Sequence, residues 1–307
     1  MSSHQLGLLW CAVFVALDAA QAVAFGSLLQ AHDAFLVGAL VFGASALASL
    51  AFVAVAAPAE LAAAWRDRRS LTWLNVHSAG GWITYLAAVQ LIEPAVAFTI
   101  FSGVIPLVLR LTSVHDVRAS SASRRADLGF AILAVALALL GLATLLGLSG
   151  FVRGGREAAA AGVLLSVVSG AMMAGMLRAS YRLSAQGAGP LTVYGVRFPL
   201  YVVLALAGYA LGLDDKGSVD APALAVAFGI GLLLLAFPTY AVQKAVALTS
   251  PAAVGAATAI IPAVVFGLQI VEGRVAFSTA TLASLGVYAL GALLVASAAF
   301  GERDCSV

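Results

Sequence analysis

Apolar side chains fall along this chain in long blocks, not in the alternation of a half-buried strand or the single stripe of a surface helix. Ten blocks can be marked off, at 6–30, 34–57, 72–91, 94–111, 128–148, 159–182, 192–213, 221–246, 251–271 and 278–299, each bounded by charge, proline or glycine. A helix needs about 20 such residues to span a bilayer, so the pattern predicts an all-α membrane protein with ten transmembrane helices. The first block is too long for the roughly 7–15-residue core of a signal peptide and lacks a basic flank, so it reads as a retained first helix.

The blocks repeat. "YLAAVQLIEPAVAFTIFSGVIPLV" at 85–108 and "YAVQKAVALTSPAAVGAATAIIPAVV" at 240–265 share one plan: a helix end, a proline that restarts the chain, a run of small residues, then a mid-helix proline. Pro106 and Pro262 lie 156 residues apart, and the same offset sets Phe42 on Phe198. Half a chain of five helices must be followed by a half of opposite sense, because five is odd. The expectation is two inverted repeats, 1–152 and 153–307, around a central cavity near the midplane. The Gly-rich "LSGFVRGGREA" at 148–158 is the natural link between them.

Composition sharpens the class. Of 307 residues, 63% are hydrophobic and 10% charged, against about 45–50% and 25% in soluble domains. The net charge of +2 gives no nucleic-acid footprint. Its distribution speaks of topology instead: with the N-terminus inside, the inner segments take 12 of the Lys and Arg residues and the outer ones 4. Cytoplasmic loops carry that excess, so both termini are expected to be cytoplasmic, in an inner membrane. Two distant cysteines make neither a disulfide framework nor a metal cluster. Neither lysine stands in a phosphate-binding loop, and no H-E-x-x-H motif is present. Neither cofactor, metal nor enzymatic activity is therefore expected.

On these residues the chain resembles the drug/metabolite transporter superfamily in its EamA-type branch. The likeness rests on Trp10, on "VRFPLYVVL" with Arg197 and Phe198, on the paired restart segments, on Pro106 and Pro262, and on Glu272 in "LQIVEGR". The first half departs from the pattern: Val41 stands where the second half has its arginine, and no acid follows Pro106. The resemblance implies ten helices, a cavity between the halves, and alternating access for a small polar or amphipathic metabolite, often as an exporter.

Candidate chemistry begins in "FVALDAAQAVAF". Phe14, Asp18, Gln21 and Phe25 fall on one helical stripe, and a charge at bilayer depth usually faces a cavity or a partner. Asp18 is expected to bind a substrate amine or take up a proton; a structural aspartate hydrogen-bonded to a neighbouring helix is the alternative. In the third block, Asn75, Ser78, Trp82 and Tyr85 share a face suited to a pocket. His77 lies beside it as a second proton-site candidate, or as a packing histidine. Arg197 either meets a substrate carboxylate or snorkels to the interface. Tyr240 is placed at the cavity wall, and Glu93 and Glu272 at outer helix ends as caps or gates. Small residues at Ser166, Gly170 and Ala174 read as helix contact, with Met172 and Met173 as filler.

The sequence thus points to a secondary transporter of a small metabolite such as an amino acid or amine. Its expected partners are that solute and membrane lipids, with a homodimer left open. A membrane enzyme acting on lipid or prenyl substrates and a non-transporting scaffold are the alternatives.

Overall fold

The computed structural model describes the backbone of residues 3–113, 124–214, 216–217, 220–248 and 251–304. Side chains are described throughout these except at 3–4, 113, 236, 239–240, 243–244, 246–247, 251–256 and 298–304. The elements are α1 (Ser3–Ala31), α2 (Ala34–Ala56), α3 (Pro58–Arg66), α4 (Arg68–Leu91), α5 (Pro94–Ser113), α6 (Arg124–Leu145) and α7 (Arg156–Ala185). They continue with α8 (Pro190–Val196), α9 (Pro199–Ala210), α10 (Ala221–Gly231), α11 (Phe237–Leu248), α12 (Pro251–Glu272) and α13 (Thr279–Asp304). Among the described residues seven helices are long and apolar enough to cross a membrane, joined by two shorter apolar ones at Ala221–Leu235 and Ala257–Glu272. A lipid-facing backbone must satisfy its own hydrogen bonds, which favours helix for every such block.

The polar residues between blocks begin and end these helices. The Asp33 carboxylate accepts from the N–H groups of Phe35 (2.8 Å) and Leu36 (2.9 Å) at the start of α2, and Asp67 accepts from Ser70 N (3.0 Å) at the start of α4. Prolines open α3, α8 and α9, where a missing N–H costs nothing. Gly147 ends α6 with φ 73°; Leu148 N donates back to Ala143 O at 2.8 Å. That reversal needs the left-handed region open to glycine.

Three features depart from the sequence reading. A short helix, α3, lies between the second and third blocks, where none was expected. The block at 192–213 is two helices: α8 stops at Val196 and α9 restarts at Pro199. Hydrophobic periodicity runs straight through the break, but Pro199 has no N–H to donate to the carbonyl of Gly195 four residues back. The block at 221–246 is likewise interrupted, by a π-helical turn at Leu232–Ala236. Pro238 follows it, and a proline cannot donate to the carbonyl four residues back; widening the turn accommodates that loss.

Packing brings α4 along α7, α6 along α13, α1 against α11 and α12, α5 against α7, and α2 against α8 and α9. Phe42 of α2 anchors the centre: its ring stacks on Phe198 at 4.4 Å and meets Tyr201 and Trp82 at 4.8 Å each. Such offset and edge contacts add about 0.5–1.5 kcal/mol per pair beyond burial. The α6–α13 crossing is close, because Gly129 and Gly291 face each other backbone to backbone.

Candidate functional site

A cavity of about 620 Å³ lies between α1, α4, α5, α7 and α13, with walls also from α6, α11, α12 and the α8–α9 break. Its walls nearest the junction of α4 and α5 are Trp82, Tyr85 and Phe98. From there it extends toward the end of the bundle where α1 starts and α5, α7 and α13 finish, past Ile105, Leu177 and Val295. That volume suits a small organic solute, and its apolar lining with few polar groups is the usual character of such sites.

Phe14, Asp18, Gln21, Trp82, Tyr85 and Arg197 all line this space. The Asp18 carboxylate makes no hydrogen bond or ion pair among the described residues, although it is partly shielded. The Tyr85 hydroxyl and Arg197 Nε are buried without a hydrogen-bond partner among them. Polar groups in that condition are costly unless something binds them. Met173 and Met176, read from the sequence as filler or not at all, also line the cavity, with Tyr288, whose hydroxyl sits 3.2 Å from Ser102 Oγ. Phe25, expected on the Asp18 stripe, is fully buried in the core instead.

The structure sets Asn75 and His77 elsewhere. Asn75 Nδ2 donates to Val196 O at 2.8 Å, and its Oδ1 accepts from Leu200 N at 3.2 Å. Those two backbone groups would bond each other in an unbroken helix. The Asn75 amide is inserted in that rung, so the residue holds the α8–α9 break open and does not line the cavity. Arg197, in the opened turn, lays its guanidinium over the Phe198 ring (4.4 Å) and the Tyr194 ring (5.0 Å). His77 Nδ1 lies 2.8 Å from Trp73 O, and its ring rests on Gly175 of α7. It is a packing histidine beside the cavity, since its ring fills the hollow that Gly175 leaves. The side chain of Tyr240 lies outside the described residues.

Replacing Asn75 with alanine leaves Val196 O and Leu200 N without partners, which costs about 1–3 kcal/mol for an unsatisfied group. A lower melting temperature is expected for Asn75→Ala, with Asn75→Asp between it and the wild type because one acceptor survives. Equal melting curves for all three would refute the bridging role.

At the opposite end of the bundle Glu93 is buried with no exposure, where a hydrated position was expected from its place at a helix end. It accepts from Gly150 N at 2.7 Å and Thr281 Oγ1 at 2.9 Å, and from Gln269 Nε2. Burial pushes its carboxyl above the ordinary 4.5, and those three bonds offset only part of the rise. An acid raised in this way supports the folded state fully below its unfolded value, and the support is lost as pH climbs through the folded one. Melting temperatures of the wild type are therefore expected to fall relative to Glu93→Gln as pH is raised from about 4.5; parallel curves would contradict this.

The fold and cavity define an all-helical bundle compatible with a multi-pass membrane protein, holding a solute-sized, largely apolar chamber with a carboxylate unpaired among the described residues. No family model matches the chain, and no curated protein matches it. A solved structure described as "Crystal structure of protein" is similar to it, with a TM-score of 0.58 over 96% of this chain and 97% of that one at 19% identity. Likeness at that identity speaks for the fold alone.

Proposed function

We propose that the chain is a secondary transporter of the drug/metabolite type, an exporter in an inner membrane. It carries a small metabolite such as an amino acid or amine by alternating access between two inverted five-helix halves. The observation that carries this reading is Asp18: a carboxylate at the centre of an apolar helix, unpaired among the described residues, facing a chamber walled by aromatic rings. A carboxylate supplies charge to an ammonium group, and rings such as Phe14, Trp82 and Tyr85 add cation–π attraction. Arg197, presented from a discontinuous helix, would receive an anionic group, and broken helices are where such carriers place substrate contacts.

The packing supports the inverted arrangement. The α4–α7 contact has its counterpart in α11–α1, α5–α7 in α12–α1, and α5–α6 in α12–α13. The contacts of α2 with α8–α9, α5 with α12 and α6 with α13 map onto themselves. Phe42 and Phe198, equivalent at the 156-residue offset, stack on each other at 4.4 Å, as residues beside a two-fold axis must. With ten spans, the count of basic residues favours both termini in the cytoplasm.

The test is a thermal-stability screen of the purified protein against amines, amino acids and organic anions. A ligand of the folded state raises the melting temperature by mass action, about 2.7 kcal/mol at a hundred times its Kd. Amine-bearing solutes are expected to stabilise the wild type. Stabilisation by none of them would remove the substrate reading.

A further inference from the structure

Glu93 joins segments that a carrier would have to part. It precedes α5, and its three donors come from the linker between the halves (Gly150), from α12 (Gln269) and from α13 (Thr281). Gln269, also without exposure, grips the same spot twice: while its Nε2 donates to Glu93, its Oε1 accepts from Ala95 N at 3.0 Å. That N–H is among the unpaired donors at the start of α5, next to Pro94.

The linker is stitched down on both sides of this node. Arg153 N donates to Leu91 O at 2.8 Å, and Ile92 pairs with Val152 in an isolated antiparallel bridge. On the other side Ala276 N donates to Gly150 O at 3.1 Å, and Ser278 Oγ to Leu148 O at 2.6 Å. All of this lies beyond the α4–α5 wall of the cavity, at the end away from the chain termini. The sequence does not repeat the pair at the 156-residue offset, where Glu93 falls on Thr249 and Gln269 on Ser113, hydroxyls in place of a carboxylate and an amide.

We propose that Glu93, with Gln269 and Thr281, is the latch that closes the linker end of the cavity. Its release is the step that admits solute to that side. This rests on the transporter reading for its purpose, but the closure itself can be measured without any substrate. A carboxyl that accepts from three donors on three segments holds all of them at one point, which no single pairwise contact does. The resting protein therefore keeps the linker end shut.

The experiment places one cysteine in the cavity, Ser102→Cys, in a Cys11→Ala, Cys305→Ala background, and adds a membrane-impermeant maleimide to one face of the vesicles at a time. With Glu93 intact, labelling is expected from the termini side and protection from the linker side. Glu93→Ala and Thr281→Val are each expected to raise the linker-side rate, by about tenfold or more for the alanine, since three hydrogen bonds lost together exceed a factor of ten. Unchanged protection in variants that still label from the termini side would overturn the latch. Should Glu93→Ala fail to fold, an Ile92→Cys, Val152→Cys disulfide in the Glu93 protein takes its place. That lock should stop solute exchange and leave ligand-induced stabilisation intact; exchange at the full rate with the lock closed would equally overturn the proposal. If the unaltered protein neither binds nor exchanges any solute, the transporter reading fails while the labelling result still decides the latch.

Discussion

Asp18→Asn is expected to abolish stabilisation by amine-bearing solutes while leaving the unliganded protein as stable as before, or more so. The two halves of that expectation come from one cause. The carboxylate has no partner among the described residues, so the folded protein bears the cost of shielding a charge from water with nothing to offset it. Asparagine removes the charge and keeps the shape. For a bound ammonium the same change removes a charge-assisted contact of about 1.5–3 kcal/mol, which corresponds to roughly a 10- to 150-fold loss of affinity. A structural aspartate hydrogen-bonded to a neighbouring helix would behave in the opposite way, losing melting temperature on substitution and leaving ligand binding alone. Melting curves of both proteins, with and without a stabilising amine, separate the two cases.

The second large effect is expected at Gly129 and Gly291. A Cβ on Gly129 would sit 2.8 Å from Val295 N and 3.0 Å from Gly291 O; one on Gly291 would sit 2.8 Å from Leu133 N and 3.0 Å from Gly129 O. Backbone cannot swing away as a side chain can, so α6 and α13 would have to separate. Overpacking of this kind costs about 1–3 kcal/mol per site, occasionally more, and valine at both sites together should leave little folded protein. Gly286 of the same helix α13 has nothing within 4 Å of its Cβ position. Gly286→Ala should be neutral or gain about 0.5–1 kcal/mol from helix propensity. Size-exclusion profiles and melting temperatures of the set check the contrast; equal tolerance at all three positions would show that the helices are not in backbone contact.

The legible part of this molecule was its helical blocks. Long apolar blocks predicted helices, the stripe Phe14, Asp18, Gln21 followed from helical spacing, and so did the shared face of Trp82 and Tyr85; all five line the cavity. Features that depend on partners distant in sequence were not legible. Asn75 looked like a pocket amide because nothing local reveals that Val196 and Leu200 lie across from it. Pro199 was the available signal for the break, but continuous hydrophobicity on both sides concealed it. Glu93 looked hydrated because a helix end implies water, whereas the linker and α13 cover it. Met173 and Met176 carry no polar signature, and only the placement of α7 turns them to the cavity. His77 was read with a partner missing; Gly175 supplies the seat for its ring.

Counterflow in proteoliposomes tests the central claim most directly. Vesicles loaded with an excess of an unlabelled stabilising solute are diluted into a trace of the same solute carrying label. The account predicts transient uptake of label above equilibrium, driven only by exchange through the protein and absent with Asp18→Asn. Binding by the unaltered protein with no overshoot at any loading would mean that the chamber holds a solute without carrying it.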